Sequence, residues 1–184
     1  MSAGETGGID LTVETLQYIL DEFETVAAEF DRATDGSGNV VWEDPILRNR
    51  KTKSLYPSGD TAGYTNQLSR NAYVVTVEET GATNSPIGTE FDFDVEAEVD
   101  VTIESVNNGF NEEISDSTDW ETLKAIIKRC VLKNRKRPIT DPSCRFDWRW
   151  ITVTNETTLP ESEENRDHYG YELTFEWNGF ERNP

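Results

Sequence analysis

One histidine, two cysteines, one methionine and six lysines are all that these 184 residues contain of those types. Each scarcity excludes something. With a single imidazole, the commonest means of acid–base catalysis at neutral pH is nearly gone. His168 stands beside Asp167 at the entry to the last predicted strand. No signature nucleophile accompanies it, and it reads as a surface residue of a hairpin. Cys130 and Cys144 belong to no CxxC pair, and one histidine cannot complete a structural zinc site with them. Both read as small buried apolar residues. GxSxG, P-loop and HExxH motifs are missing. Asp35-Gly36-Ser37-Gly38-Asn39 lacks the downstream bidentate glutamate of a calcium loop and reads as a helix stop. The expectation is a protein that is no enzyme and uses no cofactor or metal. No apolar run approaches the roughly 18–20 residues of a membrane span. Met1 to Gly8 is small and polar, without the charged-then-apolar order of a signal peptide. Residues 1–10 are expected to form a flexible N-terminus and 11–180 a single domain, in a protein assembled in the cytoplasm without membrane contact.

What is abundant is acid. Asp and Glu number 36 against 17 Lys and Arg, for a formal net charge of −19, and aromatic residues make up 10%. That aromatic content separates the chain from a disordered acidic tail. A charge of this size pushes a compact state apart at ordinary salt. In molar salt the Debye length falls to about 3 Å and the repulsion is largely screened. Acids spread through nearly every segment, with few lysines, favour salt adaptation over a nucleic-acid mimic or a cation-binding protein. A halophilic archaeon, or a virus of one, is the source this composition implies.

Periodicity predicts an α+β domain. Val13, Leu16, Leu20, Phe23, Ala27 and Phe30 recur at helical spacing, with Asp10 or Thr12 as cap and Asp35 to Gly38 as the stop. A short strand, Val40 to Trp42, follows. Residues 46–71 are rich in turn formers and read as a long ordered loop. Tyr73 to Val77 is a strand, Gly81 to Gly88 a turn region and Phe91 to Ile103 a second strand, giving a long hairpin over 73–105. In that second strand every odd position is apolar, while Asp92, Asp94, Glu96, Glu98 and Asp100 fill the even ones. Such alternation marks a half-buried antiparallel strand. Its length, roughly 45 Å, demands a bulge or an extension past the body of the domain.

A second helix follows, with Thr118 and Glu121 as a capping box and Trp120, Leu123, Ile127, Cys130, Val131 and Asn134 on one face. Pro138 stops it. Two strands close the chain, from Phe146 to about Val153 and from Tyr169 to Trp177, flanking an acidic loop from Glu156 to Asp167. The order is α-β-β-β-α-β-β, with a mostly antiparallel sheet and both helices packed on it.

Two charge patterns stand out. The acidic row Asp92–Asp100 reads first as a solvated face, and more sharply as a channel lining that repels DNA phosphates so that a duplex slides past. The cations gather in two clusters against the overall sign. Arg48, Arg50, Lys51 and Lys53 open the long loop, and Lys128, Arg129, Lys133, Arg135, Lys136 and Arg137 crowd the end of the second helix. A helix dipole favours cations there, though fewer than these. Contact with acidic surfaces of neighbouring copies accounts for the excess better than contact with nucleic acid, given the net charge.

A helix, a strand, a long antiparallel hairpin, a second helix with a basic end and two closing strands resembles the tail terminator (tail completion) proteins of long-tailed viruses, in their haloarchaeal form. The segment Thr152 to Phe175, passing through Arg166-Asp167-His168-Tyr169 into a strand, is similar to the end of such sequences, and the likeness runs from about Leu11 to Phe180. It implies a structural virion protein: a ring, usually a hexamer, that caps the tail tube and joins it to the head connector. Its implied partners are copies of itself, tail-tube protein and head–tail connector or adaptor proteins, with passing contact to genomic DNA. A head–tail adaptor or neck protein, a tail-tube subunit, and a halophilic host domain binding a cation or small ligand are the other readings.

Overall fold

Why the first helix begins where it does is visible at Asp10. Its carboxylate accepts the backbone N–H groups of Thr12 at 3.0 Å and Val13 at 3.2 Å, satisfying two donors the helix cannot. The computed structural model describes residues 9–57, 73–87, 92–106, 117–134, 146–159 and 168–182. Helix α1 (Leu11–Ala27) buries Leu11, Leu16, Tyr18, Ile19, Phe23 and Val26. It stops well before the expected Asp35–Gly38, and a single 3₁₀ turn, Asp31–Ala33, intervenes. The Asp35 segment instead makes its own tight turn. The Asp35 carboxylate accepts from Ser37 N, Asn39 N and the Asn39 amide, and Gly38 takes φ 84°. These hydrogen bonds, that from the Asn39 side chain foremost, hold the Asp35 carboxyl below the usual carboxylate range.

Six strands form one sheet in the order β2-β1-β3-β4-β6-β5, with β1 (Ile46–Asn49), β2 (Ser54–Tyr56), β3 (Val74–Pro86), β4 (Asp92–Val106), β5 (Phe146–Thr158) and β6 (His168–Arg182). Helix α2 (Ser117–Lys133) lies between β4 and β5 in the chain. All pairings are antiparallel except β1 with β3. The α+β class, the two helices and the mostly antiparallel sheet are as the periodicity predicts.

Three expectations are corrected. Val40 to Trp42 is not a strand: Val40 makes only an isolated bridge with Thr34. The first part of the expected loop holds the β1–β2 hairpin; residues 58–72 lie outside the described residues. The turn region from Gly81 is strand as far as Pro86, because β4 offers a ladder long enough to hold it against its turn-forming composition. The order is therefore α-β-β-β-β-α-β-β. α2 also starts at Ser117, which places Thr118 inside the helix rather than at its cap, and Glu121 pairs with Lys124 at 2.7 Å.

β4 carries the sheet. Its odd residues Val95 to Ile103 are at most 1% exposed and pack under the helices, the valines and Ile103 each worth about 1.5–3 kcal/mol if fully buried from water. It pairs without interruption with β6 from Asp92 to Val106. The irregularity its length called for appears in the neighbours: β3 slips at Glu79/Gly81 and β5 at Trp148/Trp150 and Val153/Asn155. Both helices cover the same face. Thr12 Oγ1 of α1 accepts from Glu79 N, Tyr18 stacks on Trp177 at 5.8 Å, and Trp120 of α2 meets Tyr169 at 5.4 Å. Trp148 and Trp177 meet edge to face at 5.1 Å beneath α1. The close approach of β5 here requires Gly179: a Cβ would lie 2.5 Å from Asp147 O and 2.6 Å from Trp148 Cα.

Candidate functional site

Among the described residues both helices lie on one side of the sheet and neither covers the other, toward which the even residues of β4 point; Thr76 and Thr102 are buried at one end of that face. Asp94, Glu96 and Glu98 are exposed, while Asp100 and Glu104 are partly so. Register brings further acids beside them. Glu78 of β3 lies opposite Asp100, Glu176 of β6 opposite Glu98, and Glu172 opposite Thr102. The row read from the sequence is thus one column of a two-dimensional acidic field. Neighbouring strands are about 4.8 Å apart, closer than the roughly 7 Å between carboxylates along one strand. Like charges set directly opposite each other destabilise a strand pair. Asp92 joins this row by register, but its side chain is not among those described.

Hydroxyl and amide side chains are interleaved with the acids. Thr174 Oγ1 donates to Asp100 at 2.7 Å, and Asn178 Nδ2 donates to Glu176 at 2.6 Å. Among the described residues, cations reach this face only at its margins. Arg50, just after β1, pairs with Glu78 at 3.3 Å. At the other margin the β5 bulge turns two successive residues outward, Arg149 and Trp150. Arg149 lies over the Phe180 ring at 3.7 Å, and Trp150 is 45% exposed. Among the described residues, no three His, Cys, Asp or Glu side chains are grouped to hold a metal ion.

The cationic clusters fall in different places. Arg48 and Arg50 line a pocket of about 320 Å³ on the open face, completed by Thr76, Thr102, Glu104, Leu159 and Glu172. Lys51 and Lys53 are exposed in the β1–β2 turn, where Lys53 takes a positive φ of 58° and Asn49 Oδ1 accepts from Thr52 N. The helix cluster lies on the opposite side of the molecule, and its described members are engaged within the chain. Lys133 pairs with Glu22 of α1 at 2.7 Å, and Arg129 with Glu29 at 2.5 Å while lying over Phe30. Lys128 donates to Glu156 of β5. These ion pairs tie α2 to α1 and to the sheet, a role that needs no neighbouring copy. Arg135, Lys136 and Arg137 lie outside the described residues.

Glu156 also accepts from Tyr171 at 2.5 Å. The Lys128 and Tyr171 hydrogen bonds, Lys128 first, hold its carboxyl below the ordinary range. Desolvation, helped by Glu156, pushes the Tyr171 phenol up to about 12. Burial does the same to the Cys130 thiol, also to about 12, so it is a packing group with little thiolate. Cys144 lies outside the described residues, as does the side chain of His168. Among the described residues no helix is long and apolar enough to cross a membrane.

Sequence reasoning missed the acids that join the row from β3 and β6, and the outward turn of Arg149 and Trp150. The alternation Glu172, Thr174, Glu176 between aromatic and aliphatic residues was a signal for the first; a bulge leaves none. A scan of the chain against models of known protein families finds no match, and a search of curated proteins finds none either.

Proposed function

We propose that this chain is a structural virion protein of the tail terminator kind, a ring subunit that caps the tail tube and joins it to the head–neck connector. The observation that carries the reading is the open acidic face: carboxylates on β3, β4 and β6, with cations only at the described margins, on a sheet whose other side is covered by both helices. A wall of this kind turned toward a lumen repels the phosphates of passing DNA by the same electrostatics that makes cationic surfaces bind it. The part of the resemblance that the corrected order retains, a long hairpin between two helices followed by two closing strands, supports the same reading. In molar salt, purified protein should form a ring-sized particle, hexameric in the simplest case, and should co-sediment with tail-tube protein and cap tube ends in micrographs. A strict monomer that ignores tube protein sinks the reading. Spontaneous growth into long tubes, or binding to the head–tail portal alone, would assign it instead to a tube subunit or an adaptor.

One observation favours a different class. The pocket of about 320 Å³ converges two arginines and two glutamates over two threonines, an arrangement that suits a small zwitterion in a host binding protein. A thermal-shift screen of zwitterionic metabolites in molar salt tests it, and Arg48→Ala should abolish any shift found.

A further inference from the structure

Among the described residues the sheet has two long unpaired edges, and they run in opposite directions. β5 is the outermost strand on one side and, among the described residues, pairs only with β6 along 146–158. On the other side β1 covers β3 only at Val74–Val77, so Gly81–Pro86 pairs with β4 alone among the described residues. Edge strands are ordinarily protected by lysine, by inward charges or by proline. The β3 edge carries no charge from Thr80 on and its one proline, Pro86, is at the very end, while β5 carries no lysine and no proline. The β5 bulges bend that edge without closing it.

We infer that the β5 edge of one copy adds to the free β3 edge of a second copy, so that the sheet continues from subunit to subunit. Three observations point there. Directions alternate along β3, β4, β6 and β5. β5 therefore runs opposite to β3, and copies facing the same way around an axis meet as antiparallel strands. The two patches are different surfaces, so the contact is head-to-tail and closes into a ring when the rotation allows. Trp150, one of the two large apolar side chains exposed among the described residues, stands on β5 itself, where an added strand would cover it. The contact aligns the open face of each copy with that of the next, which makes the acidic field continuous. This deepens the ring reading above by naming its joint, and it rests on that reading only for closure.

Proline substitutions test it. Ala82 and Thr83 are adjacent on β3, so one of them turns its N–H toward β4 and the other toward the free edge. Of Ala82→Pro and Thr83→Pro, the variant that keeps the native melting temperature is the edge-blocked one. Thr152→Pro and Val153→Pro serve β5 in the same way. In molar salt each blocked variant should sediment as a monomer of 20.9 kDa, while the unaltered chain forms a larger particle. Mixing the two blocked variants should give a species of about twice the monomer mass and nothing larger, because each retains one usable edge. An edge-blocked β3 variant that still forms the full particle overturns the proposal, as does an unaltered chain that stays monomeric. If neither β5 variant folds, the β3 variant alone decides. Rings that need these edges but ignore tail tubes would refute the tail reading and leave the joint intact. Tube capping that survives the β3 block would do the reverse.

Discussion

The two faces of β4 use the same fifteen residues to opposite ends. On the odd face, Val95 to Ile103 lie under two helices and an aromatic cluster, where a charge would be stranded without water. On the even face, carboxylates confront carboxylates across strand pairs, and a few neutral donors, Arg50 at the margin, water and counterions moderate them. One face stabilises the fold in any solvent; the repulsion on the other weakens as salt rises. A protein built this way has a core of ordinary composition and a surface whose energetics belong to its medium.

The largest test of that contrast is on the covered face. Trp177→Ala should cost about 3–5 kcal/mol in denaturant unfolding, the range for a buried aromatic truncation; a loss below about 1 kcal/mol would show that the cluster does not hold the helices to the sheet. Gly179→Ala comes next, at about 1–3 kcal/mol, because backbone rather than a flexible side chain occupies the space. On the open face the sign should reverse. Glu98→Gln, which removes one of two acids set opposite each other, should raise the melting temperature at low salt by the equivalent of about 0.2–1 kcal/mol. That gain should vanish in molar salt, and an equal gain at both would mean that repulsion is not what the substitution relieves.

Acid sensitivity gives a smaller signal. Because the folded pKa of Glu156 lies below its ordinary value, its contribution is complete above the unfolded pKa and fades as pH falls through the folded one. Glu156→Gln should flatten that part of the acid-side stability profile and change nothing of its alkaline side before Tyr171 titrates. The smallest effect is expected from the helix ion pairs. A double-mutant cycle on Lys133 and Glu22 should return no more than about 1 kcal/mol, since Lys133 is 41% exposed.

Much of the covered face was legible beforehand, because burial imposes a period on the sequence. The alternation of β4 and the helical spacing of Leu16, Phe23, Leu123 and Ile127 each encode a direction toward one core. Where burial is partial the signal thins. Ile46–Asn49 is four residues with an arginine in it, and its parallel partner lies in a segment that local pattern cannot indicate. Gly81 to Pro86 has the composition of a turn and became strand because a longer neighbour supplied its hydrogen bonds. The end of α1 escaped for a related reason: Phe30 keeps the helical spacing but packs as the extended residue that precedes the 3₁₀ turn. For the open face, the acids of one strand were legible and their opposition across strands was not, since register is a property of pairs.

The position of β6 has a consequence for how the protein is made. Among the six strands it leaves the ribosome last, yet it lies inside the sheet, between β4 and β5. Its partners in β4 are distant in sequence, with Asp92 facing Arg182. Until β6 arrives, the apolar row of β4 has a bare flank and β5 has nothing to join. Folding should therefore be slow for a chain of this size and concerted late in synthesis. Nascent chains stalled before Tyr169 would be the species most in need of a chaperone.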